Sequence, residues 1–271
     1  MRLSEFILLF TLVLSSCTKD NQPPKANPND SIVQLNEIRA IDISGFPEMR
    51  EAGVKFYDGQ GIEGDLLEIL KNHGVNTIRL RLWVDPETKH SGFIEVKAFS
   101  EELHQKGFKT WLTLHYSDWW ADPGSQETPV RWKDLSLEVL RDSLESYTER
   151  VVQAMSPDYV QIGNEINNGM LHPVGEIHED EAGFLSLLDA GVKGARKGSD
   201  NVQIMLHHAG YEGAQWFYDR VSQIEYDLIG ISYYPHWHGK SIIELRHAIQ
   251  LLTKYDKGIV MAETSYPFTL D

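Results

Sequence analysis

Two glutamates carry the most specific chemical signal in the chain. Glu165 closes the run YVQIGNE and Glu263 closes GIVMAE, both strand-like segments. A glycosidic bond needs two carboxyl groups. One protonates a poor leaving oxygen, and the other attacks the oxocarbenium-like centre; a separation of about 5 Å belongs to retaining enzymes. One glutamate at a strand end is as readily a salt-bridged structural group. Two of them 98 residues apart, one directly after Asn164, point to an acid/base and nucleophile pair. Other polar residues fall on the same side of their strands, because strand side chains alternate with period two. Arg79 and Arg81 share a face of VNTIRLRL, Thr113 and His115 a face of KTWLTLHY, and Gln161, Gly163 and Glu165 a face of YVQIGNE. His207 and His208 end VQIMLHH, and alternation admits only one of them to that side.

The elements that must position these groups are seven strand-like runs: 38–44, 75–82, 109–116, 159–165, 202–208, 227–234 and 258–263. Between them lie helical patterns. Leu137, Leu140, Leu144, Tyr147 and Val151 recur on one helix face, as do Leu66, Ile69 and Leu70, and later Ile242, Leu245, Ile249 and Leu252. Strands alternating with helices predict an α/β protein with a parallel sheet. No glycine-rich nucleotide loop follows the first strand, so a TIM (β/α)8 barrel is favoured over an open doubly wound sheet. The two glutamates then end the fourth and seventh strands and face one another across the lumen. An ordinary barrel interior is aliphatic; the polar sets above predict a chemical one, at the C-terminal ends of the strands. The aromatics agree. Trp83, Trp119, Trp120 and Trp237 follow strand ends on loops ringing that face, with Asp118 beside two of them. Flat apolar rings suit sugar faces, and a loop carboxylate suits hydroxyls. Trp111 and Trp216 read as core, and Trp132 is left open.

The remaining composition narrows the partners. With 25 basic against 40 acidic residues the net charge is −15, which argues against nucleic acid and against anionic lipid surfaces. A neutral or weakly charged substrate fits, and a monomer is expected. Eleven histidines include no HExxH, and one cysteine makes no thiolate cluster, so no metal or cofactor is expected. That cysteine, Cys17, follows Arg2 and the apolar run from Phe6 to Leu14, a run of signal-peptide length. LSSC resembles a bacterial lipobox. The reading is a lipoprotein signal over 1–16, a polar, proline-rich tether over 17–31 behind lipidated Cys17, and a catalytic barrel over 32–271. The protein is then expected to be secreted and lipid-anchored to the bacterial cell envelope, at the outer-membrane surface if its substrate is too large to enter.

The stretches GVNTIRLRLWVDP (74–86), LHYSDWWADPGSQETPVRW (114–132), VQIGNEINNGML (160–171), IGISYYPHWHG (229–239) and AETSYP (262–267), after the opening IDISGFPEMREAGVKFYDGQG (41–61), resemble glycoside hydrolase family 53. This is the family of arabinogalactan endo-β-1,4-galactanases. The resemblance implies Glu165 as acid/base and Glu263 as nucleophile, with pectic galactan or type I arabinogalactan as substrate. It implies that Asn164 binds the sugar 2-hydroxyl, that Tyr233 or Tyr234 donates to Glu263, and that Arg79 or Arg81 supports the nucleophile. His115 and one of His207 and His208 would line the site. Family members continue past AETSYP through a long loop, where bacterial ones can hold calcium, to an eighth strand and a closing helix. Here the chain stops at Asp271, so a C-terminally incomplete barrel of about seven βα units and marginal stability are expected, and no calcium is assigned. Two alternatives stay open: a carbohydrate-binding lipoprotein with little turnover, and a related glycosidase of another β-1,4-linked polymer.

Overall fold

A computed structural model describes residues 38–265. The expectations for Cys17, the signal, the tether and the boundary at residue 32, and the last two residues of AETSYP, lie outside the described residues. The strands are β1 (Ala40–Asp42), β2 (Phe56–Tyr57), β3 (Glu63–Gly64), β4 (Thr77–Leu82), β5 (Lys109–Leu114), β6 (Tyr159–Ile162), β7 (Gln203–Ala209), β8 (Leu228–Ser232) and β9 (Gly258–Glu263). The helices are α1 (Phe46–Glu51), α2 (Leu66–Asn72), α3 (Phe93–Gln105), α4 (Leu137–Met155), α5 (Glu181–Gly198), α6 (Ala214–Arg220) and α7 (Ile242–Leu252).

Seven strands form one parallel sheet in the order β1-β4-β5-β6-β7-β8-β9, each following a helical crossover, the arrangement of a TIM barrel. Among the described residues β1 and β9 each have one paired side, so the sheet curls without closing. Both outer strands are more exposed than the five between them; Ile41 and Met261 are 38% and 37% accessible. The short hairpin β2–β3, absent from the sequence reading, caps the chain between β1 and β4. Two-residue strands leave no periodicity to read.

Alternation sorts the inner strands as expected. Ile78, Leu80, Leu82, Leu112, Leu114, Val160, Ile162, Ile204, Leu206, Ile229 and Ile231 join the apolar layer between sheet and helices. Leu140, Leu144, Tyr147 and Val151 of α4 lie in that layer, as does Leu67 of α2, which the sequence pattern passed over. Helix starts are set by acceptors on polar side chains: Asp65 for α2, Ser136 for α4, Asp180 for α5 and Ser241 for α7. Each begins its helix where the loop ends, so the chain returns to the sheet in phase.

Of the two tryptophans expected in the core, Trp111 is buried there and Trp216 is not. Trp216 is 37% exposed, because α6 turns it outward against His178 and beneath the Arg220 guanidinium. Trp111 is buried on the lumen side, with Arg79 above its ring at 5.5 Å. Trp132, left open, is buried edge-on against Tyr147.

Candidate active site

Strict alternation along β9 would put Glu263 on the side of Ile259 and Met261, away from the lumen. The register shifts at this point: Ile231 pairs with Met261, but Ser232 pairs with Glu263. The extra residue, Ala262, is a bulge, and bulges re-aim the side chain that follows. Glu263 therefore enters the lumen. There Oε1 accepts from Arg79 Nη2 at 2.6 Å and Oε2 accepts from the Tyr234 hydroxyl at 2.9 Å.

The other glutamate is delivered by a different device. β6 ends at Ile162, Gly163 takes φ +76°, and Glu165 itself sits at φ +48°. A Cβ on Gly163 would lie 2.4 Å from Ile166, so the turn needs glycine here. For glutamate the left-handed region costs of order 1–3 kcal/mol, which the surroundings must offset. The turn breaks the alternation, so adjacent Asn164 and Glu165 both serve the lumen. The brace is local: Gln126 Nε2 donates to the Asn164 carbonyl at 2.8 Å, Asn167 exchanges two bonds with the Ala209 backbone, and Asn168 donates to the Pro123 carbonyl.

Glu165 Oε1 accepts from the Ser232 hydroxyl at 2.5 Å. Burial, and then the negative charge of Glu263, push its carboxyl up to about 7, while the Ser232 bond and Arg79 oppose the rise. An acid in that range can give a proton and take it back near neutrality. Both Glu263 oxygens are hydrogen-bonded, one to Arg79 and one to Tyr234. Two carboxyl groups in unlike environments are the mark of divided acid and nucleophile roles.

Arg79 joins the two sides. Besides Glu263 it donates to Asn164 Oδ1 at 2.9 Å and to Asp42 Oδ2 at 3.0 Å. Asn164 Oδ1 also accepts from Gln161, and Asn164 Nδ2 donates to the Ala121 carbonyl, leaving one Nδ2 hydrogen for a ligand. The alternatives left open by sequence thus part. Arg79, not Arg81, meets Glu263; Arg81 bonds Ser91 and lies between Trp83 and Trp120, 4.5 and 4.3 Å from their rings. Tyr234, not Tyr233, meets Glu263; the Tyr233 hydroxyl donates to the Gly239 carbonyl. His207 enters the lumen, while His208 packs on Phe217 and Tyr218 outside it. His115 Nδ1 accepts from the Ala121 amide, and burial holds the ring neutral, its pKa far below the usual value.

The tryptophans divide into a base and a rim. Trp83 is buried and stacks on Trp119 at 4.6 Å, whereas Trp119, Trp120 and Trp237 are 63%, 46% and 75% exposed. Asp118 does not join them. Its two oxygens accept from the backbone amides of Asp85 and Val130, so its carboxylate holds three loop segments together. Sequence reasoning missed Ser232, Asp42 and Gln126. Alternation along LIGIS already puts Ser232 on the lumen side, but an unremarkable serine carries no chemical flag. Among the described residues no group of three or more His, Cys, Asp or Glu side chains is placed to hold a metal ion.

A parallel βα sheet with glutamates at the ends of its fourth and seventh strands is the architecture of barrel-type glycoside hydrolases. The chain belongs to glycosyl hydrolase family 53, whose profile matches residues 38–271. A solved catalytic domain of that family from Ignisphaera aggregans is 39% identical with a TM-score of 0.82, covering 86% of this chain and 69% of that one. An arabinogalactan endo-β-1,4-galactanase of Cellvibrio japonicus (strain Ueda107) is 33% identical over 84% of this chain and 65% of the relative. An uncharacterized protein of Niallia circulans is 35% identical over 86% of this chain and 69% of its own length. The chain thus spans about two thirds of the length of these relatives.

Proposed function

We propose that the chain is a retaining, endo-acting β-1,4-galactanase, with pectic galactan or type I arabinogalactan as substrate. The observation that carries this reading is the asymmetry of the glutamate pair: Glu165 is pushed up to about 7, and Glu263 is held by Arg79 and Tyr234. Glu165 gives its proton to the glycosidic oxygen as a Glu263 oxygen attacks C1; the C1–O bond breaks and the leaving chain departs with a new hydroxyl. The galactosyl–Glu263 ester is then hydrolysed. Glu165, now a carboxylate, takes a proton from water, the water oxygen bonds C1, and Glu263 leaves. Asn164 supplies its free Nδ2 hydrogen to the 2-hydroxyl, a bond that strengthens as C1 gains positive charge. Arg79 holds Asn164 and Glu263 in one frame. Exposed Trp119, Trp120 and Trp237 offer stacking along an extended chain, which favours internal cleavage. A lipid on Cys17 would place this activity at the cell envelope, and Cys17→Ala would release it from membranes.

The test is product release from linear β-1,4-galactan. Short oligosaccharides whose new reducing ends appear first as the β-anomer in 1H NMR support the reading. Glu165→Gln lowers the rate on galactan by about 10²–10⁴. Glu263→Ala abolishes turnover, and azide restores part of it by entering the face the carboxylate leaves. Galactan binding with no new reducing ends from the folded chain would overturn it in favour of a binding protein.

A further inference from the structure

The Ser232 hydroxyl lies between two partners, Glu165 and His207, and the direction of every bond in that chain follows from chemistry. His207 Nδ1 is approached by Gln161 Nε2 at 2.9 Å and by the Glu165 backbone N–H at 3.4 Å. The Gln161 amide cannot be reversed there, because its nitrogen also donates to the Gly163 carbonyl at 3.0 Å, which only accepts. Gln161 Nε2 shares two hydrogens among the Gly163 carbonyl, Asn164 Oδ1 and His207 Nδ1 and cannot accept, so with the Glu165 N–H also on it Nδ1 is an acceptor and carries no proton. Burial, helped by the positive Arg79, keeps the ring neutral, so the single ring proton is on Nε2. Nε2 lies 2.8 Å from Ser232 Oγ and must donate to it. With one lone pair holding the Nε2–H, the serine hydroxyl turns its single hydrogen to Glu165 Oε1, 2.5 Å away.

We propose that Ser232 is a positioning residue for Glu165: set by His207 Nε2–H, its hydroxyl always donates to Oε1, so Oε2 alone gives and takes the catalytic proton. This rests on the acid/base role proposed for Glu165 and adds to it which oxygen acts and what selects it. The same oxygen serves both halves of the reaction, since Oε1 is an acceptor whether Glu165 is charged or neutral. Ser232 is suited to this twice over. It is fully buried, and its backbone pairs with Glu263, so one residue refers the acid to the nucleophile's strand. The charged and titratable groups facing Glu165 are Glu263 on β9, Arg79 on β4, Asp122 after β5, His207 on β7 and Tyr234 after β8. Ser232 is the neutral member of the set.

The experiment compares the full chain with its Ser232→Ala variant by NMR. The 13C titration of the Glu165 carboxyl, assigned with Glu165→Gln, moves up by about one pH unit in the variant, because a donor to the charged form is lost. The 15N shifts of His207 show Nδ1 bare and Nε2 protonated in the unsubstituted chain. On galactan kcat falls about tenfold with the alkaline limb displaced upward, while an aryl galactoside with a good leaving group loses less. An unmoved Glu165 titration, or a proton on Nδ1, overturns the proposal. Neither NMR readout needs turnover, so a chain that leaves galactan intact refutes the galactanase reading without deciding this one.

Discussion

Arg79 on β4 and Glu263 at the end of β9 are 184 positions apart in the chain and meet at 2.6 Å. The guanidinium is buried on the lumen side and branches to Asp42 and Asn164 as well, so four segments converge on one cation. Lysine keeps the charge but has no planar fork. Arg79→Lys is expected to hold one of these partners and release the others. The kcat on galactan then falls by about 10²-fold with a smaller change in KM, measured by steady-state kinetics.

The two adjacent tyrosines separate function from structure. Tyr234→Phe removes a donor to Glu263 and should lower kcat roughly tenfold while leaving the thermal midpoint nearly unchanged. Tyr233→Phe removes a bond to the Gly239 carbonyl instead, costing about 1 kcal/mol of stability with little effect on kcat. The opposite ranking would reassign the pair.

Glu165 makes stability depend on pH in an unusual sense. Its carboxyl titrates at about 7 when folded and near the ordinary 4.5 when unfolded. Between those values the native state binds the extra proton, so this contribution is full below about 4.5 and is lost as pH rises through 7. Glu165→Gln should therefore stabilise the chain at pH 8 by on the order of 3 kcal/mol and do almost nothing at pH 4, in denaturant unfolding. Buried His208, pushed down to about 4, acts oppositely. Its contribution is present above 6.5 and is lost as pH falls through 4, so wild type and variant must be compared at each pH.

Trp119 stacks over Trp83 yet exposes most of its own surface. Trp119→Ala should raise KM for galactan about threefold to tenfold, the worth of one aromatic contact, and leave stability almost intact. Trp83→Ala should destabilise by about 3–5 kcal/mol, because its ring is buried beneath the rim.

Much of this was legible from alternation. TIRLRL sends Arg79 and Arg81 inward, and the same rule separates His207 from His208. What alternation omits is depth along the strand. Arg79 lies level with Asp42 on β1, whereas Arg81, two residues nearer the rim, reaches tryptophans instead of a carboxylate. The rule also fails where strands end. Both catalytic candidates were assigned to the lumen, but Glu263 arrives there through a bulge and Glu165 through two left-handed residues. Asp118 shows the converse limit. A carboxylate between loop tryptophans serves backbone amides as readily as sugar hydroxyls, and only the folded loops decide between them.

The bracing around Glu165 has a bearing on how such a cleft can diversify. Asn167, Asn168 and Gln126 tie the loop after β6 to β7 and to the loop after β5, so a substitution in any one is felt by Glu165. Across the cleft, the bonds around Trp237 close within 233–239: Tyr233 to Gly239, and Trp237 and His238 back to Tyr234. Evolution or design could exchange the tip over 235–239 as a cassette while keeping Tyr234, which holds Glu263, whereas the wall around Glu165 must be inherited as a single block.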